Sequence, residues 1–187
     1  ETLIDTVLAW AKDRRGDLTI VDVGTGSGAI AVTLAAELPH ARVIATDASA
    51  EALAVARHNS ERHGVAERIR FTLGSWLDPL QDVQADALVS NPPYIESGTI
   101  ATLEPEVSRY EPVLALDGGP DGLAAYRQLI PRASRVVVPG GALFFEVGSG
   151  QAASVAQVAQ NSGWFVERIV KDPEGIERVV SLRRGGR

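Results

Sequence analysis

The sequence predicts an α/β fold in which a mostly parallel sheet of about seven strands carries helices on both faces. Three observations support this prediction. Short apolar runs alternate with segments whose apolar residues recur at helical spacing, a glycine-rich turn follows the first run, and two strand-like runs in succession end the chain. Strict alternation favours parallel strands joined by right-handed crossovers. Two consecutive strands favour an antiparallel hairpin at the edge of the sheet.

Four segments of the first half have the character of buried parallel strands. Each is short and apolar, contains β-branched residues and ends at polar or glycine residues. They are residues 17–23, 41–47, 68–73 and 85–90. Residues 29–38 and 49–64 lie between the first three and carry apolar residues at helical spacing. Ser49 is placed to cap the N-terminus of the second helix, and Gly64 its C-terminus.

The second half continues the alternation after one long irregular segment. Its elements are a helix at 122–137 that is interrupted or bent at Pro131, a strand at 141–148, a helix at 151–163 and two strands at 163–172 and 177–184. Residues 91–121 show little clear periodicity. Long loops of this kind in compact domains are usually functional.

Length and composition indicate one globular domain over residues 1–187, because 45% of the residues are hydrophobic and 22% are charged. No uninterrupted apolar run reaches the length of about 18 residues that a membrane-spanning helix needs, so no membrane segment is expected. The first ten residues lack both an initiator Met and the basic start of a signal peptide, and we expect the natural chain to have an upstream part.

Charge and residue usage restrict the function classes. The net charge of −6 disfavours non-specific attraction to nucleic acid, which depends on Lys and Arg neutralising phosphates. Cysteine is absent, which excludes disulfides, thiolate nucleophiles and cysteine metal sites and agrees with a cytoplasmic location. His40, His58 and His63 show no ligand-like grouping with carboxylates, so no metal site is expected.

The glycine-rich turn points to a nucleotide-like ligand but leaves its class open. Gly24, Gly26 and Gly28 lie between the first strand and the first helix, where tight turns and close approach of backbone to ligand require residues without a side chain. Gly24, Gly26 and Ala29 also satisfy the dinucleotide fingerprint, and Asp47 ends the second strand, where a ribose-binding acid is expected. A nicotinamide-dependent dehydrogenase is therefore a legitimate alternative.

Asp22, two residues before the first glycine, favours a different ligand. An ionised carboxylate there would repel a diphosphate but could hold an ammonium group. S-adenosylmethionine carries such a group and no phosphate. The run VDVGTGSG followed by Asp47 resembles the cofactor-binding end of class I S-adenosylmethionine-dependent methyltransferases, which have a Rossmann-like fold.

This resemblance implies roles for individual residues. The loop with Gly24, Thr25, Gly26 and Gly28 would pass beneath the cofactor, with Asp22 close by. Asp47 would bind the two ribose hydroxyls, although a helix-capping acid is the simpler interpretation of that residue. Trp76, after the third strand, would contact the adenine, since an indole face suits a purine; its alternative is a core aromatic.

The segment NPPY follows the fourth predicted strand, where the catalytic pocket of these methyltransferases lies. Each proline fixes φ and removes an N–H, so Asn91 and Pro92 can present carbonyl oxygens in fixed directions. A planar –NH2 group offers two donors that need acceptors once buried. If the Asn91 side chain and the Pro92 carbonyl each accept one N–H, the nitrogen lone pair is directed at a methyl donor. Pro93 and Tyr94 complete the acceptor slot, and Tyr94 either stacks on the acceptor or packs on the loop.

Further motifs along almost the whole chain resemble the release-factor glutamine methyltransferase family. They are Tyr110, Glu111 and Pro112; the turn from Gly118 to Leu123; Glu146, Gly148 and Gln151; and Asp172, Gly175, Arg178 and Val179. The resemblance implies methyl transfer to the glutamine of the Gly-Gly-Gln motif in a class I peptide chain release factor. Ile95 and residues 96–120 would wall the substrate channel, while Glu146 is interpreted as structural.

Two departures from the family are visible. The resemblance implies a small N-terminal helical domain that residues 1–187 do not include, and we expect these residues alone to bind the substrate more weakly. Ser75 stands where many members have an acid, so no contact to the adenine amine is assigned to it. The alternatives that remain are a nucleic-acid base methyltransferase with the same NPPY chemistry, the dehydrogenase, and a binding module without catalytic activity.

Overall fold

A computed structural model of the chain describes residues 1–14, 16–102 and 113–186. The predicted sheet is confirmed: the described residues form seven strands in the order β3-β2-β1-β4-β5-β7-β6. The strands are β1 (Leu18–Val23), β2 (Ala41–Asp47), β3 (Ile69–Leu73), β4 (Ala85–Ser90), β5 (Val137–Glu146), β6 (Trp164–Lys171) and β7 (Glu177–Arg184). The first five pair in parallel, whereas β7 lies between β5 and β6 and is antiparallel to both.

Helices cover both faces of this sheet. They are α1 (Thr2–Lys12), α2 (Ala29–Glu37), α3 (Ala50–Arg62), α4 (Val113–Leu116), α5 (Ala124–Leu129) and α6 (Ala152–Asn161). The Ser49 hydroxyl accepts from the Ala52 N–H at 3.1 Å, which confirms the predicted cap of α3. The helix predicted to bend at Pro131 ends at Leu129 and continues as a 3-10 helix, Ile130–Arg135. In the part of the chain that the structure describes, no helix is long and apolar enough to span a bilayer.

Two elements differ from the sequence prediction. Helix α1 was not predicted, although Leu3, Val7 and Ala11 recur at helical spacing and are buried against the sheet. Strand β5 begins at Val137 and not at residue 141. Glycine and proline usually mark the end of a strand, so the Pro139–Gly140 stretch was expected to precede β5. In the structure this stretch lies within β5, at the place where the pairing with β4 shifts its register.

The sheet separates two hydrophobic clusters. One lies on the face covered by α1 and α2 and includes Val89 and Phe144. The other lies on the face covered by α5 and α6 and includes Leu88, Tyr126 and Phe145. From β1 the chain winds outward through β2 and β3, then returns to β4 on the opposite side of β1. The crevice at this reversal, beyond the carboxyl ends of β1 and β4, is where open α/β sheets bind ligands.

Candidate active site

A cavity of about 500 Å³ opens at this crevice. It is formed by the loop after β1, the carboxyl ends of β2, β3 and β4, and the first turn of α3. Its lining residues are Gly24, Gly26, Ser27, Thr46, Asp47, Ala48, Ser49, Glu51, Ala52, Val55, Gly74, Ser75, Trp76, Asn91, Pro93 and Ala115. The structure thus brings five predicted cofactor residues together: Gly24, Gly26, Asp47, Trp76 and Asn91.

The glycine loop is held against the end of β2. The N–H groups of Gly24 and Thr25 both donate to the Thr46 carbonyl at 2.9 Å. Gly24 and Gly26 have φ of +72° and +55°, and a Cβ on either would meet open space, so backbone conformation explains both glycines. At Gly28, with φ of +82°, a Cβ would lie 2.9 Å from the Ala56 Cβ. Gly28 therefore permits close packing of α2 on α3 and does not line the cavity.

Asp22 and Thr25 lie beneath the loop, outside the cavity lining. The Thr25 hydroxyl donates to Asp22 Oδ2 at 2.6 Å. Asp22 Oδ1 is buried and accepts no hydrogen bond of ordinary geometry among the described residues, although the Ala31 N–H lies near enough to the carboxylate to lower its pKa. Burial raises the pKa of Asp22 from its ordinary 3.8 to about 6, and the hydrogen bond from Thr25 opposes that rise. The structure therefore places Asp22 as a buried support of the loop, with one oxygen unpartnered.

Asp47 connects the glycine loop to the start of α3. Its Oδ2 accepts from the Gly26 N–H at 2.8 Å, and its Oδ1 accepts from the Ser49 N–H at 2.9 Å. A carboxylate has about four acceptor positions, so both oxygens can still accept a hydroxyl donor from the cavity. The alternative interpretation of Asp47 as a helix-capping acid explains its contact with Ser49 but does not explain its contact with Gly26.

Trp76 has an unusual backbone conformation. Its φ is +48°, the one positive value for a non-glycine residue in the described ranges. A bulky side chain in this region costs about 1–3 kcal/mol, and such strain clusters at functional sites. The ring is half-buried against the core yet lines the cavity. The packing agrees with the interpretation of Trp76 as a core aromatic, and the part that lines the cavity leaves the adenine contact as a prediction.

The NPPY segment divides between the cavity and the sheet. Asn91 is exposed and Pro93 half-buried at the rim of the cavity, whereas Pro92 is buried. Tyr94 is half-buried and packs on the cluster under α5 and α6. Ile95 then pairs with the chain ahead of α5: its N–H donates to the Leu116 carbonyl at 3.0 Å. The predicted site thus has a cofactor side at Asn91 and a separate side at Tyr94.

The surroundings of Tyr94 come from the motifs of the second half. Gln151 Nε2 donates to the Tyr94 carbonyl at 2.9 Å, and its Oε1 accepts from the Gly148 N–H at 3.0 Å. Burial raises the pKa of the Tyr94 hydroxyl, the nearby Glu146 raises it further, and Arg178 opposes the rise. Tyr110, Glu111 and Pro112, also quoted for the resemblance, lie outside the described residues.

Several lining residues were missed by the sequence predictions. Val55 and Ala52 on α3, Ser27 in the glycine loop, and Ala115 on α4 carry no motif that marks them as ligand contacts. The helical period of 3.6 residues could have placed Ala52 and Val55 on one face of α3. It could not have shown that this face is turned toward a cavity. A second, larger cavity of about 970 Å³ lies between α1 and strands β5 to β7; no residue of the glycine loop or NPPY lines it.

The strand order, the glycine loop at the switch point and the acid that ends β2 define a class of protein: the fold is that of the class I methyltransferases. Solved structures agree. The ribosomal protein L11 methylase of Lactobacillus delbrueckii subsp. bulgaricus superposes with a TM-score of 0.73 at 20% identity, covering 98% of this chain and 77% of that one. An RNA methyltransferase from Salinibacter ruber, in complex with S-adenosyl-L-homocysteine, gives 0.62 at 18% identity over 99% and 92% of the two chains.

The chain belongs to the methyltransferase small domain family, whose model matches residues 6–104. The resemblance inferred from the motifs is confirmed as well. A release factor glutamine methyltransferase from Gloeobacter violaceus is 49% identical over 96% of this chain. Proteins of the same name from Geobacter sulfurreducens and Synechocystis are 46% and 49% identical over 89% and 87% of it. The chain spans 63%, 58% and 56% of the length of these three relatives.

Proposed function

We propose that residues 1–187 are a single catalytic domain that transfers a methyl group from S-adenosylmethionine to the side-chain amide nitrogen of a glutamine. The acceptor is the glutamine of the Gly-Gly-Gln motif in a class I peptide chain release factor. The observation that carries the proposal is one cavity lined by both the glycine loop with Asp47 and by Asn91 of NPPY. The name shared by the relatives supports the acceptor.

The lining fits the parts of this cofactor. Asp47 offers two carboxylate oxygens to ribose hydroxyls, Trp76 an indole face to the adenine, and the loop at Gly24 and Gly26 a surface free of side chains. The buried, unpartnered Asp22 Oδ1 adds negative charge beneath the loop. When bound, the sulfonium of S-adenosylmethionine supplies an electrophilic methyl group. The first task of the residues of the chain is therefore to position and polarise the acceptor.

An amide nitrogen is a weak nucleophile because its lone pair is delocalised into the carbonyl. Asn91 and Pro92 can overcome this by orientation: their oxygens accept the two N–H groups and hold the nitrogen toward the cavity. Pro93 at the rim and the buried Pro92 fix this segment, so alignment and proximity contribute most of the acceleration. Tyr94 and Ile95 bound the slot from the side away from the cofactor.

Methyl transfer to a nucleic-acid base is the neighbouring alternative, since adenine and guanine also present a planar –NH2. The net charge of −6 weighs against it, because a nucleic-acid footprint is normally basic.

A release factor as substrate also implies a reaction in the cytoplasm, where translation terminates.

The test is transfer of labelled methyl by the full-length natural protein. A release factor, its Gln-to-Ala variant in the Gly-Gly-Gln motif, tRNA and DNA are offered in parallel. We expect label on the unaltered release factor alone. Label on nucleic acid would show that the substrate is a nucleic-acid base and not a release factor. S-adenosylmethionine binding without transfer to any acceptor would indicate a binding module.

A further inference from the structure

The register of β4 with β5, continued one residue beyond its last pair, would place Glu146 opposite Asn91. The strands are parallel, and their last ladder pair is Ser90 with Phe145. Continued by one residue, this register sets Asn91 opposite Glu146, with about 4.8 Å between the strands. Side chains alternate along a strand, so both residues project to the same face as Val89 and Phe144, which contact the cluster under α1.

Other contacts hold Glu146 at the acceptor side. The Tyr126 hydroxyl donates to its backbone carbonyl at 2.7 Å, fixing the end of β5. Its half-buried side chain lies close enough to Tyr94 to raise the pKa of that hydroxyl. Within residues 1–14, 16–102 and 113–186, no hydrogen bond or ion pair engages the Glu146 carboxylate. The carboxylate is thus free to accept a donor from a bound acceptor group.

We infer that Glu146 is a further catalytic residue, which faces the acceptor amide beside Asn91 and accepts the proton that the nitrogen loses. The inference rests on the proposed methyl transfer to an amide. The inference departs from the sequence interpretation, in which Glu146 at the end of a strand is structural. Its position next to Asn91 in the extended register is what assigns a role to its side chain.

The chemistry releases one proton from the acceptor nitrogen. The amide nitrogen uses its lone pair to form a bond to the methyl carbon, the carbon–sulfur bond breaks, and its electron pair passes to sulfur. The nitrogen gains the positive charge that the sulfonium loses, and one N–H proton must leave to restore a neutral amide. The Glu146 carboxylate stabilises that charge as it develops and takes the proton, which balances the reaction.

Three charged or titratable groups face Glu146 from the neighbouring elements: the Tyr94 hydroxyl from NPPY, the Tyr126 hydroxyl from α5, and Arg178 from β7. Burial raises the pKa of Glu146 above its ordinary 4.5, while Arg178 opposes the rise. The carboxylate is therefore protonated more readily than an ordinary glutamate as the pH falls. Loss of the ionised form should slow transfer as the pH falls.

The experiment measures single-turnover methyl transfer to a release factor at saturating S-adenosylmethionine, from pH 5 to pH 9, by the full-length protein. Glu146→Gln keeps the shape and removes the charge; we expect the rate constant to fall about a hundredfold. Its cofactor Kd, measured by calorimetry, should stay within about twofold of the unaltered protein. Glu167→Gln, an exposed carboxylate on β6, is the matched control and should behave like the unaltered protein.

The pH profile separates proton transfer from a structural effect. The transfer rate of the unaltered protein should fall in acid. The rate of Glu146→Gln should show no such fall, whereas the rate of Asp22→Asn should still fall. Glu146→Asp, which restores the charge, should recover part of the rate and the acid limb, and it replaces Glu146→Gln if that variant does not fold. A normal rate for Glu146→Gln, or an unchanged acid limb, would overturn the inference while the proposed function stands. Absence of transfer by the unaltered protein would overturn both.

Discussion

The side-chain amide of Gln151 donates from Nε2 to the backbone carbonyl of Tyr94 at 2.9 Å. The same amide accepts from the Gly148 N–H at 3.0 Å. Because Tyr94 ends NPPY and Gly148 follows β5, one side chain connects the loops that leave two neighbouring strands. Asn91 and Glu146 each lie within three residues of these contacts, so Gln151 fixes the acceptor side while remaining outside the cofactor cavity.

Gln151→Glu should uncouple the two loops. A carboxylate can still accept from Gly148 but cannot donate to Tyr94, and it places negative charge against a carbonyl oxygen. We expect the free energy of unfolding to fall by about 1–3 kcal/mol and kcat to fall about tenfold, with the cofactor Kd unchanged. Urea unfolding, calorimetry and steady-state kinetics measure these. Gln160→Glu, exposed on the same helix, is the control. A kcat equal to that of the control would contradict a positioning role for Gln151.

Gly122→Ala should disturb the same contact from the opposite side. Gly122 has φ of +70°, and a Cβ there would lie 2.3 Å from both the Tyr94 carbonyl oxygen and Gln151 Nε2. Strain and overlap together should destabilise the protein by more than about 2 kcal/mol. Gly140→Ala is matched in backbone, with φ of +79°, but meets no atom within 4 Å, so only about 1 kcal/mol is expected. Equal losses in the two variants would exclude crowding at Tyr94.

Asp47→Asn should weaken cofactor binding. The carboxylate organises Gly26 and Ser49 and is the acid predicted to bind ribose, and hydrogen bonds to a charged group contribute about 1.5–3 kcal/mol. The Kd for S-adenosylmethionine should therefore rise about ten- to a hundredfold. Calorimetry compares this variant with Asp82→Asn, an exposed acid away from the cavity. An unaltered Kd would remove Asp47 from the cofactor site.

Asp22 should make the stability of the protein depend on pH. Its pKa is raised in the folded state, so the stability that it contributes is complete below pH 3.8 and is lost as the pH rises through about 6. The change in pKa corresponds to about 3 kcal/mol. Asp22→Asn, whose amide oxygen can still accept from Thr25, should therefore be more stable than the unaltered protein at pH 8. This advantage should shrink on acidification toward pH 4 in urea unfolding. A constant difference across that range would show that Asp22 does not titrate as described.

Asn91→Ala should separate binding from transfer. Removal of the side-chain oxygen leaves the glycine loop and Asp47 intact, so cofactor binding should remain largely in place. The acceptor nitrogen would lose one of two positioning contacts, and transfer should fall by about two orders of magnitude or more. Asn161→Ala, exposed at the end of α6, is the control. A mild effect on single-turnover rate would refute positioning by the two oxygens.

The sequence predicted most elements because their signals are local. The strand-like runs that became β1 to β4 and the Ser49 cap of α3 follow from side-chain branching and hydrogen-bonding groups within a few residues. Helix α1 and the first residues of β5 were not predicted. Helix α1 has its own periodicity but was treated only as the start of the chain, and β5 includes the Pro139–Gly140 stretch because a register shift against β4 accommodates it. Pairing with another strand is a non-local property.

What the sequence by itself determined is the chemistry available: glycine at positions that need positive φ, an acid at the end of β2, and a stiff NPPY segment after β4. Those residue types follow from backbone sterics and hydrogen-bonding capacity. Only the tertiary structure decided which of them meet. It left Asp22, Thr25 and Gly28 outside the cavity lining, connected Gln151 to Tyr94 across 57 positions of sequence, and paired the last residues of β4 and β5, Ser90 and Phe145. Distances between residues remote in sequence arise from how strands pair and helices pack, and no local pattern encodes them.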